Sequence, residues 1–435
     1  MTPGRVLAVA QGLAAAAVLV RLARGRRRLP PLTAASARSD GEDARGRRPD
    51  GGTAASWPAG GGGAAISVVI PARDEEARIG PCLAAVLADP AVTEVIVVDD
   101  RSSDGTAALA ASLGATVVAG RPLPGGWVGK QWALHQGLQR ARGDVVVTLD
   151  ADTRPRPGLF AALADALAGR DLVSAGPRFV CDGVAEQALH ASFLATLVYR
   201  FGPIGSPSAP PPHRVVANGQ CLAFRREAML RADGFARVRR HMTDDVALAR
   251  MLAADGWRVA FLDAGGLLEV DMHESAAGVW REWGRSLPLA DVTAPGWRAA
   301  DLAVVWLAGA LPVIRLAAGR PTRLDLALLA VRTLLAGALR GSYTRPGPGV
   351  VLSVLLDPAT AVRLTHATLR PVRTWRKRTY TGMAGNRCSA GPAGYRSHVA
   401  KVRNRFYAGM VSYRSFAGKV RNAVRSGPPG RSAAR

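Results

Sequence analysis

Ile66-Ser-Val-Val-Ile-Pro-Ala-Arg-Asp-Glu-Glu76 sets a five-residue, mostly apolar run against a proline and then a cluster of charged residues. A short apolar run without alternation reads as a strand buried on both faces. Its abrupt polar end puts acids at the strand's carboxyl edge. The same arrangement returns at Val95–Thr106 (VIVVDDRSSDGT) and at Val145–Asp152 (VVVTLDAD). Two weaker runs, Thr116–Val118 and Val259–Leu262, also read as strands. Periodic apolar residues predict helices over 78–87, 106–113, 131–140, 158–167 and 246–254. Strand and helix alternating in this way predict an α/β fold with a mostly parallel sheet covered by helices on both faces.

In such sheets ligands bind beyond the carboxyl ends of the strands, where the acids of this chain collect. Asp100, at the tip of the second strand, can accept hydrogen bonds from a base or ribose, whereas Asp104 suits a helix cap. Asp150 and Asp152 flank one small residue after a buried strand, so both carboxylates can face one divalent ion. Oxygen ligands of this kind favour Mg²⁺ or Mn²⁺, with a nucleotide diphosphate completing the shell. Between these sites, Gly125–Lys130 (GGWVGK) opens a helix. Its glycines permit close backbone approach, and Lys130 puts positive charge where a diphosphate can sit. The spacing is not that of a Walker loop. Further on, Asp244 and Asp245 precede the helix with buried face Val246, Leu248, Met251 and Leu252. One of them can cap the helix while the other serves as general base; Asp245 is assigned as the base and Asp244 as its neighbour.

The chain has 435 residues and a net charge of +24, unevenly spread. Residues 371–435 hold fifteen Lys or Arg and no acid. A tail of this kind suits anionic lipid headgroups or nucleic acid; apolar segments upstream favour lipid, and no nucleic-acid partner is expected. Within it, YRSHVAKVRN (395–404) and YRSFAGKVRN (413–422) are offset by five helical turns. The four cysteines show no metal or disulfide spacing, which suits a reducing compartment. Val6–Val20 is apolar and is followed by Arg21, Arg24 and Arg26–Arg28, the charge order of an uncleaved anchor with the bulk of the chain on the cytoplasmic side. Leu302–Ile314, Leu324–Leu339 and Val350–Leu356 are also apolar, each shorter than a clean membrane span. The expected division is an anchor over 1–29, a Gly-rich linker over 30–64, a catalytic domain over 65–290, membrane-associated helices over 291–370 and a basic tail over 371–435.

ISVVIPARDEE, VIVVDDRSSDGT, the Asp150/Asp152 pair and TDDVAL (243–248) resemble, in order and spacing, the motifs of family 2 glycosyltransferases. The resemblance implies a GT-A fold and a single in-line displacement with inversion. It implies that Pro71, Glu75, Asp100, Lys130 and Asp150 bind the nucleotide sugar, that Asp152 with Asp150 holds the metal, and that Asp245 is the base. PGGWVGKQWALHQG (124–137) and PVRTWRKRTY (371–380) are similar to membrane-anchored members associated with hopanoid and carotenoid pathways. That implies a UDP-sugar donor and a lipid or polyisoprenoid acceptor at the plasma membrane. Two departures stand out. Arg73 occupies a position where the family usually has Asn, and the QxxRW signature of processive synthases is replaced by Trp280, Arg281, Trp283, Gly284 and Arg285. Transfer of a single sugar is therefore expected over polymer synthesis. The alternatives are a polysaccharide synthase and a non-catalytic membrane scaffold.

Overall fold

The computed structural model describes residues 2–34, 64–272, 275–370, 374–375 and 378–379. The basic tail and its repeat therefore lie outside the described residues, as does most of the Gly-rich segment. Strands run in chain order as β1 (Ile66–Ala72), β2 (Val92–Asp99), β3 (Thr116–Ala119), β4 (Val145–Leu149), β5 (Thr153–Pro155), β6 (Leu172–Gly176), β7 (Arg178–Phe179), β8 (Cys221–Arg225), β9 (Val259–Asp263) and β10 (Leu268–Val270). Seven form one sheet in the order β3-β2-β1-β4-β8-β6-β9. All its pairings are parallel except those of β8, which runs antiparallel to both β4 and β6. Strands β5, β10 and β7 make a small second sheet.

The apolar runs have no alternation because helices cover both faces of the sheet. Within β1, Val68 and Ile70 join one core while Val69 joins the other, and β4 divides Val147 from Val146 in the same way. The helices Glu76–Leu87 and Leu159–Ala166 cover the first face; Gly129–Arg140 and Asp244–Ala254 cover the second. Val68, Val69 and Ile70 are fully buried, and each such side chain contributes roughly 1.5–3 kcal/mol.

A third core joins the terminal helices to Val184–Phe201. The stretch 177–212, which carries no helix expectation from sequence, thus holds an eighteen-residue helix. It is buried on nearly every side, polar residues included, so it has no amphipathic stripe to betray it. Among the described residues three helical segments are long and apolar enough to cross a membrane: Pro3–Arg27, Pro295–Ala317 and Pro348–Leu369. The runs 302–314 and 350–356, too short for a span as sequence, are the apolar middles of the latter two. Polar residues at their ends concealed the full length: Asp301 receives both terminal nitrogens of Arg214, at 3.0 and 2.9 Å. Leu324–Leu339 belongs to a seventeen-residue helix whose Arg332 is held by Asp357 in a buried two-pronged pair at 2.8 and 2.9 Å.

The segment after the first helix does not begin as a free linker. Leu29 N donates to Gly205 O and Leu32 N to Asp263 O, both at 2.7 Å, and the Leu32 side chain is buried in the core of the sheet.

Candidate active site

Two loops at the carboxyl ends of β1 and β2 are laced together. Asp100 N donates to Ala72 O at 2.8 Å, and Ser103 donates both its amide and its hydroxyl to Asp74 Oδ1, at 2.8 and 3.0 Å. Those bonds hold the Asp74 carboxyl below its ordinary pKa. Asp74 and Arg101 adopt left-handed backbone conformations, with φ of 52° and 58°, a geometry uncommon for residues other than glycine. Arg73 braces the same junction, its Nη1 donating to Asp100 O at 2.5 Å and lying 4.0 Å from the Asp100 carboxylate. The residue that departs from the family pattern therefore acts here as a tie between the first two loops, with Asp100 buried beneath it.

The strand β4 ends in a tight turn. Asp150 N donates to Gln220 O at 3.0 Å, and Thr153 returns its amide and hydroxyl to Asp150 O at 3.1 and 2.7 Å. Across the cleft, Lys130 Nζ meets Asp150 Oδ1 at 2.6 Å. Burial alone would lower the Lys130 pKa, but Asp150, supported by Asp244 and Asp245, overrides it and the ammonium is held charged. Asp152 turns toward Glu75 and Arg78. Burial, then the charges of Asp150 and Glu75, push its pKa up to about 7. Its Oδ1 is buried without a hydrogen-bond partner.

Asp244 and Asp245 start their helix, whose cap position is Thr243. Asp245 accepts from Gly219 N and from Val246 N, each at 2.8 Å. Burial raises both carboxyls, that of Asp244 to about 7, while Lys130 pulls the other way. Gly219 sits close to Asp245: a Cβ there would lie 3.0 Å from the Asp245 Cβ, so one of the two would have to give by a few tenths of an ångström.

Pro71, Glu75, Asp100, Lys130, Asp150, Asp152, Asp244 and Asp245 all line one cavity of about 970 Å³. Sequence reading missed several others that share it. Asn218, Gly219 and Gln220 precede β8 and carry no charge to mark them. Arg28 comes from just beyond the first apolar helix, and Phe201, Leu287 and Leu289 add apolar lining. Among the described residues no three His, Cys, Asp or Glu side chains gather as a metal-binding group. The Asp150/Asp152 pair, with one buried carboxylate oxygen unpartnered, fits a hard divalent ion whose other ligands come from a bound diphosphate.

Residues 67–231 match the family model Glycosyl transferase family 2. The chain carries a family 2 glycosyltransferase domain. The matched span contains Asp100, Lys130, Asp150 and Asp152, while Asp244 and Asp245 lie beyond it. The chain is also similar to the 4,4'-diaponeurosporenoate glycosyltransferase of Staphylococcus aureus (strain MRSA252), with 42% identity over 89 residues. That match spans 20% of this chain and 24% of the relative, about a quarter of the relative's length. Among solved structures, similarity extends to a mannosyltransferase from Pyrobaculum calidifontis in complex with GDP-Man and Mn²⁺ (19% identity, 84% of this chain and 98% of that one, TM-score 0.48). It also extends to glucosyl-3-phosphoglycerate synthase from Mycobacterium tuberculosis with Mn²⁺, UDP and glucosyl-3-phosphoglycerate (24% identity, 52% and 78% coverage, TM-score 0.34).

Proposed function

We propose that the chain transfers a single sugar, with inversion, from a nucleotide-diphosphate donor (a UDP-sugar) to a lipid or polyisoprenoid acceptor at the plasma membrane, with the catalytic domain on the cytoplasmic side. The observation that carries the reading is the mixed lining of the cavity. The carboxylates and Lys130 line it together with Leu194, Leu197, Phe201, Leu287, Leu289 and Leu339. A lipid with a polar terminus suits such a lining. Two of these leucines and Phe201 belong to the helix Val184–Phe201, which packs against the first apolar helix. Arg21, Arg24 and Arg26–Arg28 follow that helix, the charge order that keeps the succeeding chain cytoplasmic. The partial relative named for 4,4'-diaponeurosporenoate agrees with an apolar acceptor.

In this reading Pro71, Glu75 and Asp100 receive the nucleoside, with Asp100 accepting from base or ribose. Lys130 leaves Asp150 to meet the diphosphate. Asp150 and Asp152 are the residues that would hold Mg²⁺ or Mn²⁺, and such an ion when bound supplies counter-charge to the departing diphosphate. Asp245, its two oxygens fixed by backbone amides, takes the proton of the acceptor hydroxyl as the oxygen attacks the anomeric carbon. The carbon–oxygen bond to the diphosphate breaks on the opposite side and its electron pair leaves with the phosphate. Asp244 stands beside Asp245 as its acidic neighbour. For a carboxylate acceptor no proton needs to be removed, and Asp245 then only orients the nucleophile.

Rates of Asp152→Asn and Asp245→Asn in membranes, with a panel of nucleotide sugars, test the assignment. Each is expected to fall by about 10²-fold or more; undiminished transfer by both would reject it.

A further inference from the structure

The segment Leu287–Thr293 follows the helix Ala276–Ser286 and lies beyond every motif recognised in the sequence. Its two ends are tied to different helices. At the C-terminal end, Asp291 accepts from Met242 N at 2.9 Å, Thr243 N at 3.1 Å and Thr243 Oγ1 at 2.5 Å, gripping the two residues that precede Asp244 and Asp245. Beside it, the buried Arg250, further along the helix that begins at Asp244, donates to Val292 O at 2.7 Å and to Thr293 Oγ1 at 3.1 Å. At the N-terminal end, Arg200 of the helix Val184–Phe201 donates to Leu287 O at 2.8 Å. Leu287 and Leu289 line the same cavity as Asp245. Leu289 is held at φ 50°, a conformation that a bulky L residue rarely adopts. The surrounding ties over-determine it, as expected where a backbone is shaped for function.

We infer that Leu287–Thr293 is a strap coupling acceptor binding to catalysis: Leu289 contacts the apolar body of the acceptor, and Asp291 is a positioning residue that sets Asp245 against the acceptor's polar terminus. The inference rests on the transferase reading above. It explains why one short segment is tied through Asp291 and through Arg250 to the Asp244 helix and its start while showing only leucine to the cavity.

The test uses the full chain in lipid nanodiscs with the nucleotide sugar giving the fastest UDP or GDP release from a hexose panel, and farnesol and farnesoic acid as acceptors. Asp291→Ala is expected to lower the turnover number for transfer about 100-fold, the scale of a displacement of about 1 Å at a reacting group. Mn²⁺-dependent affinity for the nucleoside diphosphate should stay within about twofold, since no donor-side residue is touched. Asp291→Asn keeps one acceptor oxygen for the two amides and should recover part of the loss. Leu289→Gly suits the left-handed backbone; in protein whose melting temperature shows it folded, it should raise the acceptor KM about fivefold or more while the donor KM stays put. An Asp291→Ala enzyme with wild-type turnover overturns the strap. So does parallel loss of nucleotide affinity, which would mark a general structural role, or an unchanged acceptor KM in Leu289→Gly. A wild-type chain that neither binds nucleoside diphosphate nor releases it from any donor refutes the transferase reading itself, and the strap with it.

Discussion

Replacing Asp244 by Asn should make the resting protein more stable at alkaline pH. Asp244 is buried, and its carboxyl titrates at about 7 instead of 3.8, because burial and then Asp245 outweigh the pull of Lys130. The unfolded chain ionises this group near the ordinary value, so between about pH 4 and 7 folding takes up a proton. Wild-type stability therefore falls as pH rises through that window and levels off above it. A shift of roughly three units corresponds to about 4 kcal/mol, which is the upper figure for what the ionised carboxyl costs the folded state at pH 8. Asn mimics the neutral acid and removes that cost at pH 8 while changing little at pH 4. Thermal unfolding in detergent at the two pH values reads the difference, expected as several degrees in favour of Asp244→Asn at pH 8 only. Because burial also raises the Asp152 and Asp245 carboxyls, the variant should retain part of the wild-type pH slope. Equal melting temperatures at pH 8, or a slope unchanged by the substitution, would refute the argument that these carboxylates are buried under strain until a ligand compensates them.

Lys130→Met removes the cation 2.6 Å from Asp150. It should raise the donor KM and move the acidic limb of the rate profile to higher pH, since Lys130 lowers the Asp152 and Asp244 pKa values. Gly219→Ala would bring a methyl to 3.0 Å from the Asp245 Cβ; turnover should drop about tenfold or more with the melting temperature nearly unchanged. Arg332→Met leaves Asp357 buried without its partner and should cost about 3–5 kcal/mol, measured as loss of folded protein on heating in detergent.

The sheet was legible wherever burial on both faces produced an uninterrupted apolar run with acids at its end. For β1, β2 and β4 the run and its polar edge are adjacent in sequence, so one reading located both strand and ligand-binding tip. The strands β6 and β8 escaped because Leu172–Gly176 and Cys221–Arg225 are five residues each, built partly of small or polar side chains whose burial depends on neighbours remote in the chain. The helix Val184–Phe201 escaped for the opposite reason. His190, Ser192 and Arg200 are buried and satisfied by Tyr343, Asp357 and the Leu287 carbonyl, so polarity no longer marks an outer face. Local motifs exposed the charged lining of the cavity. Its apolar lining comes from three separate stretches that are brought together only by the packing of the terminal helices, and Asp291 carries no motif at all.

The most direct test is mass spectrometry of membrane lipids incubated with the protein and a nucleotide-sugar panel. The account predicts an apolar lipid heavier by the mass of one sugar, formed by the wild-type chain and lost in Asp245→Asn and Asp152→Asn. A ladder of many sugar increments, or the same product from both variants, would contradict it.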